Sequence, residues 1–232
     1  MKALVTGGTR GIGAAIAERL LADGVEVVVT GTRADASGPE GSGYRAVDFT
    51  DDAATEAFAL DAAALDLDIL VNNAGINKVA PFEEIEGADF DRIQQVNVRA
   101  PFMLCRAVLP SMRAKGWGRI VNICSVWGVI SKEQRGSYST SKFALDGMTA
   151  AISAEAAADG VLANCVSPGF IDTELTHRVL GDAGIAELTA RVPARRLGRP
   201  EEVAALVSWL VSAENTYVTG QNVLIDGGFS RI

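Results

Sequence analysis

Short apolar runs rich in β-branched residues alternate along the chain with longer stretches of helical periodicity. The apolar runs predict seven strands, at positions 3–6, 26–30, 44–47, 69–72, 118–124, 161–167 and 222–225. Runs that are apolar on both faces are typical of parallel strands buried between layers of helices. The alternation predicts an α/β fold with a doubly wound parallel sheet, and no break in composition divides the single domain 1–232.

The first predicted helix, at about 11–23, shows its buried face in the sequence. Ile12, Ile16 and Leu20 recur every fourth residue and so lie on one side of the helix. The segment 34–46 differs, because its glycine, proline and serine residues are incompatible with a regular helix. We therefore expect a crossover loop, instead of a helix, between the second and third strands.

Charge and cysteine content narrow the classes of function. A net charge of −8 argues against nucleic acid and membrane surfaces as partners, because binding to phosphates requires surplus Lys and Arg. No apolar run approaches the ~20 residues that a membrane-spanning helix needs. The three cysteines, Cys105, Cys124 and Cys165, are too widely spaced for a disulfide framework or a zinc site. We expect a reduced, cytoplasmic protein with no metal site.

The glycine-rich segment 6–13, with the sequence TGGTRGIG, follows the first strand and opens the first helix. In open α/β sheets the pyrophosphate of a dinucleotide meets the helix N-terminus at this point. A Cβ at Gly7, Gly11 or Gly13 would keep phosphates away from the backbone amides. The spacing G-x-x-x-G-x-G departs from the commoner G-x-G-x-x-G. Its position nevertheless favours a Rossmann-type dinucleotide site over an ordinary glycine-rich turn.

The end of the second strand predicts which dinucleotide binds. An acidic residue there would hold the ribose 2′-hydroxyl of NAD(H), but the chain has Gly31, Thr32 and Arg33. Arg33 and Arg10 are able to clamp a 2′-phosphate, which favours NADP(H). Two alternatives stay open: both arginines are solvated surface groups, or Asp35 serves NAD(H) instead.

Three polar residues in the second half of the chain suggest acid–base chemistry. Tyr138 and Lys142 are four residues apart and share one helical face. A nearby ammonium stabilises a phenolate, which makes the tyrosine usable as an acid or a base. Ser125 lies at the carboxyl end of a predicted central strand, where ligands bind in such sheets. A Tyr–Lys pair is common on exposed helices, but the two placements support each other.

Together these motifs resemble the short-chain dehydrogenase/reductase family, in particular its 3-oxoacyl-carrier-protein reductase-like members. The resemblance runs from about residue 2 to 228 and rests on the turn 6–13, Asn-Asn-Ala-Gly at 72–75, Ser125 thirteen residues before Tyr138, Tyr138-x-x-x-Lys142 and Pro168-Gly169. It implies that Tyr138 is the general acid or base, that Lys142 supports its ionisation and binds the nicotinamide ribose, and that Ser125 orients the substrate. It also implies that Asn97 holds a water in a proton relay to Lys142.

Pro101 adds a physical reason for the role of Asn97. Proline has no N–H, so the carbonyl of Asn97, four residues earlier in a helical pattern, lacks its usual partner. A carbonyl freed in this way is predicted to bind the relay water. The alternative is that Pro101 only kinks the helix.

The resemblance also assigns the cofactor contacts. Asp48 is expected at the adenine, 73–75 along the adenosine, and 168–173 at the nicotinamide carboxamide and phosphate. A helix cap at Asp48 and a plain turn at Pro168-Gly169 are the structural alternatives. The full expected set is Gly7, Thr9, Arg10, Gly11, Ile12, Gly13, Thr32, Arg33, Asp48, Phe49, Asn73, Ala74, Gly75, Tyr138, Lys142, Pro168, Gly169, Ile171 and Thr173.

The substrate is expected over the nicotinamide, bounded by 76–81, 126–136 and 172–193, the last resembling the mobile lid of relatives. The candidate contacts are Ser125, Trp127, Lys132, Arg135 and Tyr138. An aromatic wall beside basic groups suits a substrate with an anionic or polyhydroxyl portion, although Lys132 and Arg135 are alternatively solvated loop residues.

The activity implied by the resemblance is that of an NADP(H)-dependent oxidoreductase. It transfers a hydride between the nicotinamide and a carbonyl or secondary alcohol, as a ketone or 3-oxoacyl reductase of small molecules. The alternatives are an NAD-linked alcohol or dihydrodiol dehydrogenase and a non-catalytic, dinucleotide-binding redox regulator. Relatives pair the helix at 143–158 and the helix of Asn97 across an interface, so a homo-oligomer, dimer or homotetramer, is expected.

Overall fold

Seven parallel strands form the centre of the computed structural model, which describes residues 1–231. They are β1 (Lys2–Val5), β2 (Glu26–Gly31), β3 (Gly43–Ala46), β4 (Ile69–Asn72), β5 (Gly118–Ile123), β6 (Val161–Pro168) and β7 (Asn222–Ile225). Their order across the sheet is β3-β2-β1-β4-β5-β6-β7, and every pairing is parallel. The predicted doubly wound sheet is confirmed. No strand boundary differs from its prediction by more than one residue. Ile232, the last residue of the predicted domain, lies outside the described residues.

Helices cover both faces of the sheet. They are α1 (Gly11–Ala22), α2 (Asp52–Ala64), α3 (Gly87–Gln94), α4 (Ala100–Lys115), α5 (Gly136–Ala156), α6 (Glu174–Arg191) and α7 (Pro200–Val211). Helices α1 and α7 pack on one face, around Ile16, Leu20 and Val207. Helices α2 and α4 pack on the other, around Leu104 and Met112. Both layers bury the apolar strands, which is why the strands have no polar alternation.

The first helix follows the sequence prediction closely. Ile16 and Leu20 are buried, and Ile12 packs half-buried against the same core. Gly24 stands just beyond the helix with a φ of +80°, a conformation that glycine adopts without strain. The apolar face of α1 and the glycine after it therefore fix how the chain returns to the sheet as β2.

The connection between β2 and β3 is a loop, as the sequence predicts. It includes a turn in which the Ser42 amide donates to the carbonyl of Pro39 at 3.0 Å. Tyr44, on β3, donates its hydroxyl to the carbonyl of Arg33 at 2.5 Å and so ties the edge strand to the end of β2. This tie compensates in part for the absence of a covering helix at this edge.

The topology gathers four turns at one edge of the sheet. Because all strands are parallel, the segments after β1, β4, β5 and β6 emerge on the same side. The strand order changes direction between β1 and β4, and such a switch point opens a crevice that binds ligands in doubly wound folds. The candidate site is built there.

Candidate active site

The turn after β1 has the backbone of an anion cradle. Gly7 and Gly11 have φ angles of +64° and +56°, and a Cβ on Gly13 would overlap the carbonyl oxygen of Gly7. The N-terminus of α1 carries no side-chain cap and no acidic residue in its first turn. Its free N–H groups and positive end therefore suit a phosphate. These residues fit the pyrophosphate of a dinucleotide.

The turn after β4 is fastened to this cradle. The hydroxyl of Thr6 accepts hydrogen bonds from the amides of Asn73 and Ala74, at 2.9 and 3.0 Å. The side-chain amide of Asn73 donates in return to the carbonyls of Thr6 and Gly7, at 3.0 and 3.1 Å. The structure thus brings two of the predicted cofactor segments together and holds them rigidly.

Thr173 closes the cradle from the other side. A Cβ on Gly11 would lie 3.6 Å from its methyl carbon, so the start of the predicted lid faces the glycine turn. Thr173 caps α6 by accepting from the amide of Thr176 at 3.3 Å. Ile171 is buried, and a Cβ on Gly169 would overlap Asp226. The predicted contacts after β6 therefore border the site through a tightly packed turn.

At the adenosine end the two arginines do not converge on one partner. Arg33 is exposed and forms a bidentate ion pair with Asp35, at 3.0 and 2.7 Å. Arg10 instead faces Glu174, at 3.8 Å. The hydrogen bonds within the Arg33–Asp35 pair raise the pKa of the guanidinium and lower the pKa of the carboxyl. Asp35 thus occupies the Nε and Nη2 donors of Arg33, the residue predicted to hold a 2′-phosphate.

Asp48 and Phe49 have defined local roles in the structure. One carboxylate oxygen of Asp48 accepts from the amide and hydroxyl of Thr50, at 2.9 and 2.8 Å, which lowers the pKa of the carboxyl. The cap of α2 is Asp51, not Asp48. Phe49 is buried and packs edge-to-face on Phe58, so its ring belongs to the core and not to a ligand surface.

Lys142 lies at the centre of the site and is only 4% exposed. Its Nζ is 5.5 Å from the centroid of the Tyr138 ring and donates to the carbonyl of Ile123 at 2.8 Å. Ser125 stands just after β5, and its hydroxyl accepts from the amide of Trp127 at 3.2 Å. The structure thus places the predicted Tyr–Lys pair beside the end of β5.

Asn97 lies in a π-helical segment, Gln95–Arg99, between α3 and α4. Its side chain is buried and donates to the carbonyl of Ile76 and the hydroxyl of Ser141, at 2.9 and 3.0 Å, while accepting from the Ile76 amide at 2.8 Å. A Cβ on Gly75 would lie 3.4 Å from Asn97 Oδ1 and 3.6 Å from Lys142 Nζ. The predicted relay residue therefore shares one small space with Lys142.

Three aromatic rings pack together beside the predicted substrate region. Trp127 is 8% exposed and meets Phe170 and Phe229 edge-to-face, with both ring centroids at 6.0 Å. Lys132 lies over the Trp127 ring at 5.9 Å. Phe170 and Phe229 are not among the residues predicted from sequence, although each directly follows a glycine, in Pro168-Gly169 and in Asp-Gly-Gly at 226–228.

The residues 1–231 show neither a group of three or more His, Cys, Asp or Glu side chains arranged for a metal ion nor a helix long and apolar enough to cross a membrane. All three cysteines are free and buried. Burial raises the pKa of the Cys105 thiol to about 12.

Residues 7–230 match the family model described as enoyl-(acyl carrier protein) reductase. The 3-oxoacyl-(acyl-carrier-protein) reductase FabG of Salmonella typhimurium is 38% identical over 99% of this chain and 97% of its own length. The gluconate 5-dehydrogenase of Gluconobacter oxydans is 35% identical over 99% and 94%. Among solved structures, a gluconate 5-dehydrogenase from Burkholderia cenocepacia in complex with NADP and tartrate is 32% identical, with a TM-score of 0.92 over 100% of this chain and 95% of that one.

Proposed function

The chain belongs to the short-chain dehydrogenase/reductase family, and on that premise we propose that it reduces a ketone or 3-oxoacyl substrate with NADPH. It is an oxidoreductase of CH–OH and C=O groups. The observation that carries the proposal is the cluster of Tyr138, Lys142 and Asn97 beside the glycine cradle, at the switch point of the sheet.

The cradle and the turns that border it would hold the coenzyme. The free amides at the N-terminus of α1 would meet the pyrophosphate, the segment 73–75 would line the adenosine, and 168–173 would meet the nicotinamide side. When bound, NADP(H) supplies or accepts the hydride. The preference for NADP(H) rests on relatives solved with NADP and on the basic end of β2.

Tyr138 transfers the proton to or from the substrate oxygen. The buried ammonium of Lys142, with no carboxylate paired to it among the described residues, stabilises the phenolate form. Ser125 donates its hydroxyl hydrogen to the substrate oxygen, since that hydroxyl accepts from a backbone amide and its own proton is uncommitted. Together, Tyr138, Lys142 and Ser125 would stabilise the negative charge that develops on the substrate oxygen.

Asn97 supports the return of the proton from solvent. Its π-helical backbone widens the helix just before Pro101, which itself offers no N–H. A water bound at the Asn97 carbonyl, close to Lys142, would pass protons toward the ammonium. The side chain is occupied by Ile76 and Ser141, so the carbonyl is the group that remains for this role.

The protein is further proposed to act as a cytoplasmic homo-oligomer. Three buried free thiols suit a reducing compartment. A groove of about 1050 Å³ beside α4 and α5 is lined by apolar side chains, among them Phe102, Leu109 and Met148, together with charged ones such as Arg106 and Glu155. Pairing of this face with a second copy would cover them.

A coenzyme-oxidation assay tests the proposed activity. Purified protein is mixed with NADPH or NADH and with ketones, acyl thioesters, quinones or sugar acids, and loss of the reduced nicotinamide absorbance is followed. We expect turnover of at least one carbonyl class with NADPH and a kcat/KM for NADPH above that for NADH. The proposal would be wrong if the protein oxidised cyclic alcohols with NAD⁺ and reduced no carbonyl compound with NADPH. That result would indicate an NAD-linked alcohol dehydrogenase.

A further inference from the structure

Arg135 is the residue directly before α5 and lies one turn before Tyr138. Its Nε is buried and has no hydrogen-bond partner in the described part of the chain. No carboxylate of residues 1–231 forms an ion pair with it, and the first turn of α5 carries no acidic side chain. A half-buried guanidinium thus stands one turn before the proposed proton donor, with an unmet Nε donor and no carboxylate in ion-pair contact among the described residues.

Among the arginines of residues 1–231, only Arg119 and Arg135 have a buried Nε without a hydrogen-bond partner. Arg99, Arg113 and Arg196 each reach a carboxylate within 3.0 Å. Arg119 also has a buried, unpartnered Nε, but its terminal nitrogens donate to three backbone carbonyls, at 2.9 to 3.1 Å. Arg119 is therefore satisfied by the backbone, whereas Arg135 is not.

A half-buried cation whose Nε has no protein partner gains stability from a ligand that supplies an acceptor. Burial lowers the pKa of Arg135, and the nearby Tyr138 and Glu133 partly oppose that shift. Arg135 precedes Tyr138 by three residues at the start of α5, a spacing that brings two side chains close on one side of a helix. A substrate that brings an oxyanion would pair with the guanidinium while its carbonyl lies at Tyr138.

We propose that Arg135 binds an oxyanion of the substrate, so that the enzyme selects carbonyl compounds that carry a negatively charged group a short distance from the reacting carbon. The proposal rests on the proposed function, because it places the reacting carbon at Tyr138. The planar guanidinium matches two oxygens of a carboxylate or phosphate. The loop before Arg135 is held on α5 by the Ser131–Ser139 hydroxyl pair, at 2.7 Å, which keeps the guanidinium in place.

Matched substrate pairs test this selection. The oxo acids acetoacetate, levulinate and 5-oxohexanoate are compared with their methyl esters, and acetoacetyl-CoA with the phosphate-free N-acetylcysteamine thioester. We expect the wild type to have a higher kcat/KM for the oxo acids than for their esters, or for the CoA thioester than for its phosphate-free counterpart. Arg135→Gln should lower kcat/KM for them by about 10- to 100-fold, mainly through KM, and leave the neutral members nearly unchanged. Loss with the oxo acids identifies a carboxylate, and loss with the CoA thioester identifies a phosphate.

Two variants control for structural damage. Arg135→Lys keeps the charge but not the two-pronged geometry, so we expect an intermediate loss. Arg19→Gln removes an exposed arginine paired with Asp23, far along α1, and should change neither substrate set. An equal loss on charged and neutral members in Arg135→Gln, or no loss at all, would overturn the proposal in favour of a structural role.

Binding gives a readout that does not depend on turnover. The same acids, esters and thioesters are titrated calorimetrically into protein saturated with NADP⁺, which cannot reduce them. The wild type should bind at least one charged ligand more tightly than its neutral counterpart, and Arg135→Gln should lose that difference. Equal binding of charged and neutral members by the wild type contradicts the proposal, whether or not the enzyme turns over any of them.

Discussion

Arg33 is held by a carboxylate at the place where the coenzyme phosphate is expected. The ion pair with Asp35 is bidentate but exposed, and exposed pairs of this kind contribute little to stability. A phosphate offers more charge and more acceptor oxygens than Asp35 does. We therefore expect Asp35 to weaken the binding of a 2′-phosphate at Arg33 without preventing it.

Substitution of Arg33 tests this assignment. Arg33→Gln should lower kcat/KM with NADPH by about 10- to 100-fold, because a charge-assisted contact to the 2′-phosphate is lost, and change that with NADH little. Asp35→Asn should raise kcat/KM with NADPH, since the competing carboxylate is removed. Steady-state rates with both coenzymes on one carbonyl substrate measure both effects. A ratio of NADPH to NADH efficiency that is the same in all three proteins would contradict the assignment.

At the scale of elements, the strands and the loop between β2 and β3 could be predicted from sequence. Strands that are apolar on both faces require helices on both sides to bury them. The glycine and proline residues between β2 and β3 disfavour a helix there. The π-helical segment Gln95–Arg99 could not be predicted. One added residue in a helical turn barely changes a periodic pattern, and only the packing of Asn97 against Ile76 and Ser141 shows why it is there.

The candidate site was predictable as a set of segments but not as a set of contacts. Parallel strands dictate that the turns after β1, β4, β5 and β6 meet at one edge. The partner that each side chain chooses depends on packing between distant residues. Only the three-dimensional structure therefore shows three of these contacts. Asp35 pairs with Arg33, Phe229 packs on Trp127, and the Nε of Arg135 has no hydrogen-bond partner among the described residues.

In the whole molecule, the groove beside α4 and α5 is the surface that we expect a second copy of the chain to cover. Phe102 is 50% exposed on its lining, in a protein otherwise organised around two buried cores. Apolar side chains exposed together in a groove with a polar border often mark an interaction site. The two helices come from the same segments that hold Asn97 and Tyr138, so pairing there would also steady the site.

Phe102→Asp tests the oligomer. A charge at the centre of a buried apolar interface is poorly solvated, so the variant should dissociate to a smaller species and unfold at a lower temperature. Leu60→Asp is the matched control, because Leu60 is 75% exposed on α2, outside the groove. Sedimentation velocity gives the masses. A wild-type monomer, or an unchanged mass in Phe102→Asp, would contradict the proposed interface.

We propose that Tyr138 moves the proton in a coenzyme-dependent carbonyl reduction. Tyr138→Phe removes only the phenol oxygen, so the direct measurement is its turnover with NADPH, set beside NADPH affinity from fluorescence titration. We expect kcat of Tyr138→Phe to fall by about 100-fold or more, while its dissociation constant for NADPH stays within about threefold of wild type. Unchanged turnover in Tyr138→Phe would contradict it.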